Sequence, residues 1–146
     1  MQTLDPELKA LHREALKRQA RKLVDDLDEL SAAKQARDRG LNQRDIAELL
    51  GTNQAKVHRL LKAIERRSGN LSPGPEEILL RAFVEGRDRA KVLEELKRFH
   101  YTDGQDAPYP SEGRIPGTWD QIVASFAKGL LQKTEFDEIS RAVGRS

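Results

Sequence analysis

The chain has 146 residues, of which 34% are charged, 37% hydrophobic and 5% aromatic, with no cysteine. That length supports one ordinary domain or two very small ones. The missing thiols exclude a disulfide scaffold, a cysteine-ligated zinc site, an iron–sulfur cluster and a thiol nucleophile, and they fit a reducing, cytoplasmic location. Net charge is +2, yet residues 1–70 carry 15 Lys/Arg against 11 Asp/Glu, while residues 71–146 carry 11 against 13.

In chain order the sequence reads as helix throughout. Ala, Leu, Glu, Lys and Arg dominate, and no stretch alternates polar and apolar residues as a half-buried strand does. The predicted fold class is therefore all-α. Asp5-Pro6-Glu7 opens the first helix with a capping acceptor, a proline suited to the first turn and an acid at the positive helix end. Leu8, Leu11, Ala15, Leu16, Ala20, Leu23, Leu27 and Leu30 then recur at three- and four-residue steps, a stripe that extends through Ala33 and Ala36 to Gly40. So long a helix is hard to cover in a small domain. A break is expected near Ser31, which would cap a second helix running to Arg39. The segment MQTLDPELKALHREALK mixes acids with bases and does not read as a signal peptide. No apolar run is long enough to cross a membrane, so no membrane partner is expected.

Asn42 caps the next helix, Gln43–Leu50, with Asp45 three residues later in a capping-box-like arrangement. After Gly51, either Thr52 or Asn53 caps a helix running to about Arg67. From Thr52 to Arg67 the chain holds Lys56, Arg59, Lys62, Arg66 and Arg67 against Glu65 alone. A basic segment inside a nearly neutral chain points to a local anionic partner. Residues 68–75, SGNLSPGP, form the clearest linker. The domain boundaries follow: residues 1–67, the linker 68–75, and residues 76–146.

Beyond the linker, Glu76–Glu85 and Asp88–Phe99 are predicted helices broken by Gly86. Ile78, Leu79, Ala82 and Phe83 of the first face Val92, Leu93, Leu96 and Phe99 of the second. Tyr101–Gly117, with Pro108, Pro110 and Pro116, reads as a loop of the length that is usually functional, bracketed by Tyr101 and Tyr109. Thr118 is expected to cap Trp119–Lys128, and after Gly129, Thr134 to cap Glu135–Val143. Helix–Gly–helix thus occurs twice in this half. Trp119, Phe83, Phe99, Phe126 and Phe136 are the expected core, an exposed hot spot at Trp119 being the alternative.

Residues 43–62, QRDIAELLGTNQAKVHRLLK, carry the functional signal. Ala47 is small and sits midway along the first helix. Gly51 lies four residues on, at the turn. Ile46, Leu50, Val57 and Leu60 fall where two crossing helices lock together, and neither helix contains proline. In these features the segment resembles the helix-turn-helix family of DNA-binding proteins. Over residues 31–67 it looks most like the units of sigma-factor-like regulators, phage-repressor-like proteins and partition proteins. The resemblance implies a helix-turn-helix domain that binds double-stranded DNA. A generic helical hairpin is the alternative.

With Val57, Leu60 and Leu61 turned inward, the opposite face shows Asn53, Gln54, Lys56, Arg59 and Lys62, with Ala55 and His58 nearby. Asn and Gln pair with adenine edges, Arg with guanine, and Ala meets the thymine methyl. Lysines, helix N-termini and hydroxyls such as Thr52 suit phosphates. Asn42, Gln43 and Arg44 of the preceding helix would lie near the DNA backbone. A merely solvated charged face would ordinarily include acids, and none precedes Glu65 in this helix.

Other chemistry finds little support. His12, His58 and His100 are far apart, and Asp25/Asp26 and Glu94/Glu95 are adjacent pairs whose side chains diverge on a helix. No phosphate-binding loop is present. No nucleophile, base and oxyanion donor are arranged together. No metal, no cofactor and no enzymatic activity are expected. Residues 76–146 read either as a dimerisation or protein-partner module, or as a second DNA-contacting unit through Arg81, Arg87, Arg89, Lys91, Lys97 and Arg98. The expected function is a sequence-specific transcriptional regulator, a homodimer joined through the N-terminal leucine stripe. An antitoxin-type autoregulator whose C-terminal domain binds a protein partner is the first alternative. A protein-interaction module without DNA binding is the second.

Overall fold

The computed structural model describes residues 5–106, 113–115 and 117–145. Among them lie seven helices and one pair of two-residue strands, an all-α fold. By close backbone contacts the chain divides into two compact units, Arg21–Ser72 and Met1–Ala20 with Pro73–Ser146.

Helix α1 (Pro6–Asp38) opens as its residues dictate, the Asp5 carboxylate accepting the Leu8 N–H at 2.9 Å. It does not break at Ser31. The 33 residues form one uninterrupted helix, about 50 Å long at 1.5 Å per residue. Serine inside a helix costs only a fraction of a kcal/mol against alanine, roughly 0.5. Here Leu30 and Ala33 on either side of it are buried in one core, and that packing outweighs the local preference. The leucine stripe is not uniformly covered, since Leu8, Leu11 and Leu23 are exposed.

In the unit Arg21–Ser72, the end of α1 packs with α2 (Gln43–Leu50) and α3 (Gln54–Arg66). Leu30, Ala33, Ala36, Ile46, Ala47, Val57 and Ile64 are its buried core, and Leu41, Leu50, Leu60, Leu61 and Leu71 close over it. Leu71 brings the start of the 68–75 segment onto this core.

The other unit contains α4 (Pro75–Glu85), α5 (Arg89–Arg98), β1 (Gln105–Asp106), β2 (Arg114–Ile115), α6 (Thr118–Ala127) and α7 (Lys133–Ala142). Ile78, Leu79, Ala82, Val92, Leu96, Ile122, Leu131 and Ile139 form its core, with Leu93, Phe99, Tyr101, Trp119, Phe126 and Phe136 packed against it. Trp119 is a core anchor, its ring 5.1 Å from Tyr101 and 6.1 Å from Phe136. The Tyr101 hydroxyl donates to the Leu96 carbonyl at 2.5 Å, and burial pushes its pKa up to about 12. Phe83 is not part of this core: it is half-buried and lies outside the cluster.

Three local expectations differ here. The 101–117 segment contains the β1–β2 pair, antiparallel with Gln105 opposite Ile115. Pro108, Tyr109, Pro110 and Pro116 lie outside the described residues. Helix α6 is capped by Gly117 and not by Thr118. The Thr118 hydroxyl instead accepts the Thr102 N–H at 2.8 Å, and Thr102 Oγ1 accepts the Thr118 N–H at 3.0 Å. Asp120 closes the helix start by accepting the Gly117 N–H at 2.8 Å. Similarly α7 is capped at Gln132 and not at Thr134, because the Glu135 carboxylate reaches back to the Gln132 N–H at 2.9 Å.

Candidate nucleic-acid interface

The two helices α2 and α3 are shaped by bonds confined to their own sequence. Asn42 Oδ1 accepts the Asp45 N–H at 2.9 Å and so caps α2. At the other end Gly51 adopts φ +67°, ψ 35°, the left-handed region. This lets the Thr52 N–H reach the Ala47 carbonyl at 2.9 Å, satisfying the last turn of α2. A Cβ at residue 51 would meet nothing within 4 Å, so the backbone angle and not crowding calls for glycine. Asn53, rather than Thr52, then caps α3, its Oδ1 accepting the Lys56 N–H at 2.8 Å. Inward, Ile46 and Ala47 of α2 meet Val57 and Ile64 of α3 in the core, with Leu50, Leu60 and Leu61 around them.

Outward, α3 carries one stripe at four-, three- and four-residue steps: Ala55, Arg59, Lys62 and Arg66, all exposed. It lies opposite Val57, Leu60, Leu61 and Ile64. Arg59 has no ion-pair partner among the described residues. Lys62 is 3.4 Å from Glu65, with both side chains more than half exposed. Solvent-exposed pairs of this kind hold their partners weakly, at about 0 to 1 kcal/mol. On the α2 side of the stripe, His58 Nδ1 lies 3.5 Å from Gln43 Nε2. On its other side, Lys56 Nζ makes an ion pair with Glu29 of α1 at 2.9 Å.

Each residue expected at the site can thus be placed. Arg59, Lys62 and Ala55 share the outward stripe; Gln54, at the start of α3, and Arg44, on α2, are exposed. His58 and Gln43 come together. Asn42 and Asn53 commit their side-chain oxygens to caps, leaving their amide N–H groups for other partners. Thr52 is half-buried in the turn, and Lys56 is engaged by Glu29. Two further residues lie at this face: Arg66, counted in the basic segment but not placed on the outward face, and Glu29, which was not singled out. Arg66 continues the stripe, and its four-residue step from Lys62 was the available signal. Glu29 lies 27 residues before Lys56 and reaches it through tertiary packing, for which the sequence has no local signal.

A convex helical face with an arginine, two further basic residues and an alanine offers the donors that guanine edges and phosphates accept, together with a methyl for thymine. The basic residues of the other unit are differently disposed. Arg81 pairs with Glu77 at 3.0 Å, Arg87 with Glu95 at 3.5 Å, Arg89 with Glu135 at 2.5 Å, and Lys97 with Glu138 at 2.6 Å and Glu94 at 3.1 Å. Of the six expected to make a second DNA face, four are already compensated by acids. Among the described residues, no group of three or more His, Asp or Glu could hold a metal ion, and no helix is long and apolar enough to cross a membrane. Comparison with known proteins returns no match, whether to a family model, a curated sequence or a solved structure.

Proposed function

We propose that this chain is a sequence-specific double-stranded DNA-binding transcriptional regulator, with α3 entering the major groove. The observation that carries the reading is the outward stripe of α3. Ala55, Arg59, Lys62 and Arg66 stand exposed on a helix fixed against α2 through the left-handed Gly51 turn. Arg59 reads a base, Lys62 and Arg66 grip phosphates, and Gln43 and Arg44 approach the backbone from the start of α2. The unit containing α4–α7 serves a protein partner, because its ion-paired basic residues favour a mixed-charge surface over a polyanion. The regulator acts as a homodimer in which Leu8, Leu11 and Leu23 of α1 meet a second copy, so its half-sites lie about 34 Å apart or a multiple of that.

Selection of binding sites from a random duplex pool, repeated with Arg59→Ala, tests the proposal. A single motif with two related half-sites, blurred in the variant, supports it. The absence of any enriched motif overturns it.

A further inference from the structure

We infer that Glu29 limits the DNA affinity of this chain by holding Lys56 in an ion pair that a DNA phosphate has to displace. This rests on the DNA-binding reading above and assigns a regulatory role to a residue outside the helix-turn-helix. Lys56 lies in the first turn of α3, beside the outward stripe. The start of a helix attracts anions, through its free N–H groups and the positive end of its dipole. The first turn of α3 contains no acid of its own. The nearest compensating carboxylate comes instead from α1: Glu29 Oε1 lies 2.9 Å from Lys56 Nζ, with the lysine side chain 41% exposed and the glutamate 25%. One carboxylate therefore occupies the cation that a phosphate would take. Arg59 has no such competitor. The two basic residues thus differ: Arg59 is free to bind at no exchange cost, while Lys56 contributes only after leaving Glu29.

Exchange of one anion for another predicts a specific salt signature. Each phosphate newly neutralised by a lysine steepens the fall of log affinity with log salt by about 0.9. The measurement is duplex affinity across a salt series for the wild type, Glu29→Gln, Lys56→Met and the double variant, on a random duplex and on the selected site. Glu29→Gln should raise affinity for both duplexes at low salt, by up to about fivefold, the worth of a partly exposed pair. It should also steepen the salt slope by about one. Both changes should vanish in the Lys56→Met background. An unchanged slope in Glu29→Gln overturns the inference. A rise that persists without Lys56 overturns it too, since the carboxylate would then be repelling DNA directly. Wild type that binds no duplex removes the functional reading and this inference together. Wild type that binds while Glu29→Gln behaves identically removes the inference alone.

Discussion

Arg89 and Glu135 are joined by a two-armed ion pair: Arg89 Nε donates to Glu135 Oε2 at 2.5 Å and Nη2 to Oε1 at 3.0 Å. The same guanidinium donates to the Leu130 carbonyl at 2.5 Å, and the same carboxylate accepts the Gln132 N–H at 2.9 Å. One side-chain pair thereby ties the first turn of α5 to the α6–α7 turn and to the start of α7. Geometry of this kind, with the carboxylate nearly buried, is stronger than an ordinary surface pair. Arg89→Ala should destabilise the chain by about 2 kcal/mol, below the 3–5 typical of fully buried pairs because the arginine remains partly exposed. Urea unfolding measures it; a loss under about 0.5 kcal/mol would mark the pair as an ordinary surface contact.

The same pair sets an acid limit. The Arg89 guanidinium, aided by the Gln132 N–H, holds the Glu135 carboxyl below its ordinary range despite burial. The unfolded chain therefore binds a proton at higher pH than the folded chain. The stabilising contribution is complete above the unfolded value, about 4.3, and disappears as pH falls through the lower folded value. Stability of the wild type should decline below about pH 4.3, and Glu135→Gln should remove that part of the decline. Unfolding midpoints from pH about 3 to 7 decide it, and a parallel decline in the variant refutes the assignment.

Two glycines should respond to alanine for opposite reasons. At Gly51 a methyl finds open space but a left-handed backbone, φ +67°, so Gly51→Ala should cost about 1–2 kcal/mol, and Gly51→Asn less. At Gly117 the backbone is extended, φ −87°, yet a Cβ would collide with the Thr102 carbonyl oxygen and the Asp103 backbone, whose own oxygen is 2.7 Å away. Gly117→Ala should therefore cost about 3 kcal/mol, and asparagine should be worse there, not better. Thermal unfolding of the four variants separates strain from collision; the same ranking at both sites would contradict it.

What was legible in the sequence depended on how far apart the interacting groups lie. The caps at Asp5, Asn42 and Asn53 and the turn at Gly51 rest on bonds spanning three to five residues, and their signals are local. The expected caps Thr118 and Thr134 had the right residue type, but both lie inside their helices, one residue or more past the cap. Thr118 bonds Thr102, 16 residues earlier, and the helix starts were taken by Asp120 and Glu135 reaching back to main-chain N–H groups. Ser31 was overruled by burial of Leu30 and Ala33. Lys56 was assigned to the recognition face from its place on α3, but its tie to Glu29 depends on where α1 passes.

Ser125 offers a stabilising change. It is fully buried on α6, and its hydroxyl is the one buried side-chain group without a hydrogen-bond partner among the described residues. Such a group carries its desolvation cost uncompensated, about 1–3 kcal/mol. Ser125→Ala removes the hydroxyl, keeps nearly the same volume and improves helix propensity by about 0.5 kcal/mol. A gain near 1 kcal/mol is expected. Urea midpoints test it, and a loss of stability would mean that the hydroxyl has a partner in solution.

Arg59 and Lys62 should separate base reading from phosphate grip. Both lie on the outward stripe of α3, three residues apart, and both are exposed. A guanidinium can bond two guanine acceptors at once, whereas an ammonium is a point charge suited to phosphate. Arg59→Ala should weaken binding to the selected site by about 1–3 kcal/mol, leaving random duplex less affected, and should relax preference at one base position. Lys62→Ala should weaken selected and random duplexes alike and flatten the salt slope by about one. Titrations of both duplexes at two salt concentrations distinguish these outcomes. If each variant lowers both affinities by the same factor, α3 grips the backbone with both residues, and sequence reading must come from Gln54, His58 or the start of α2.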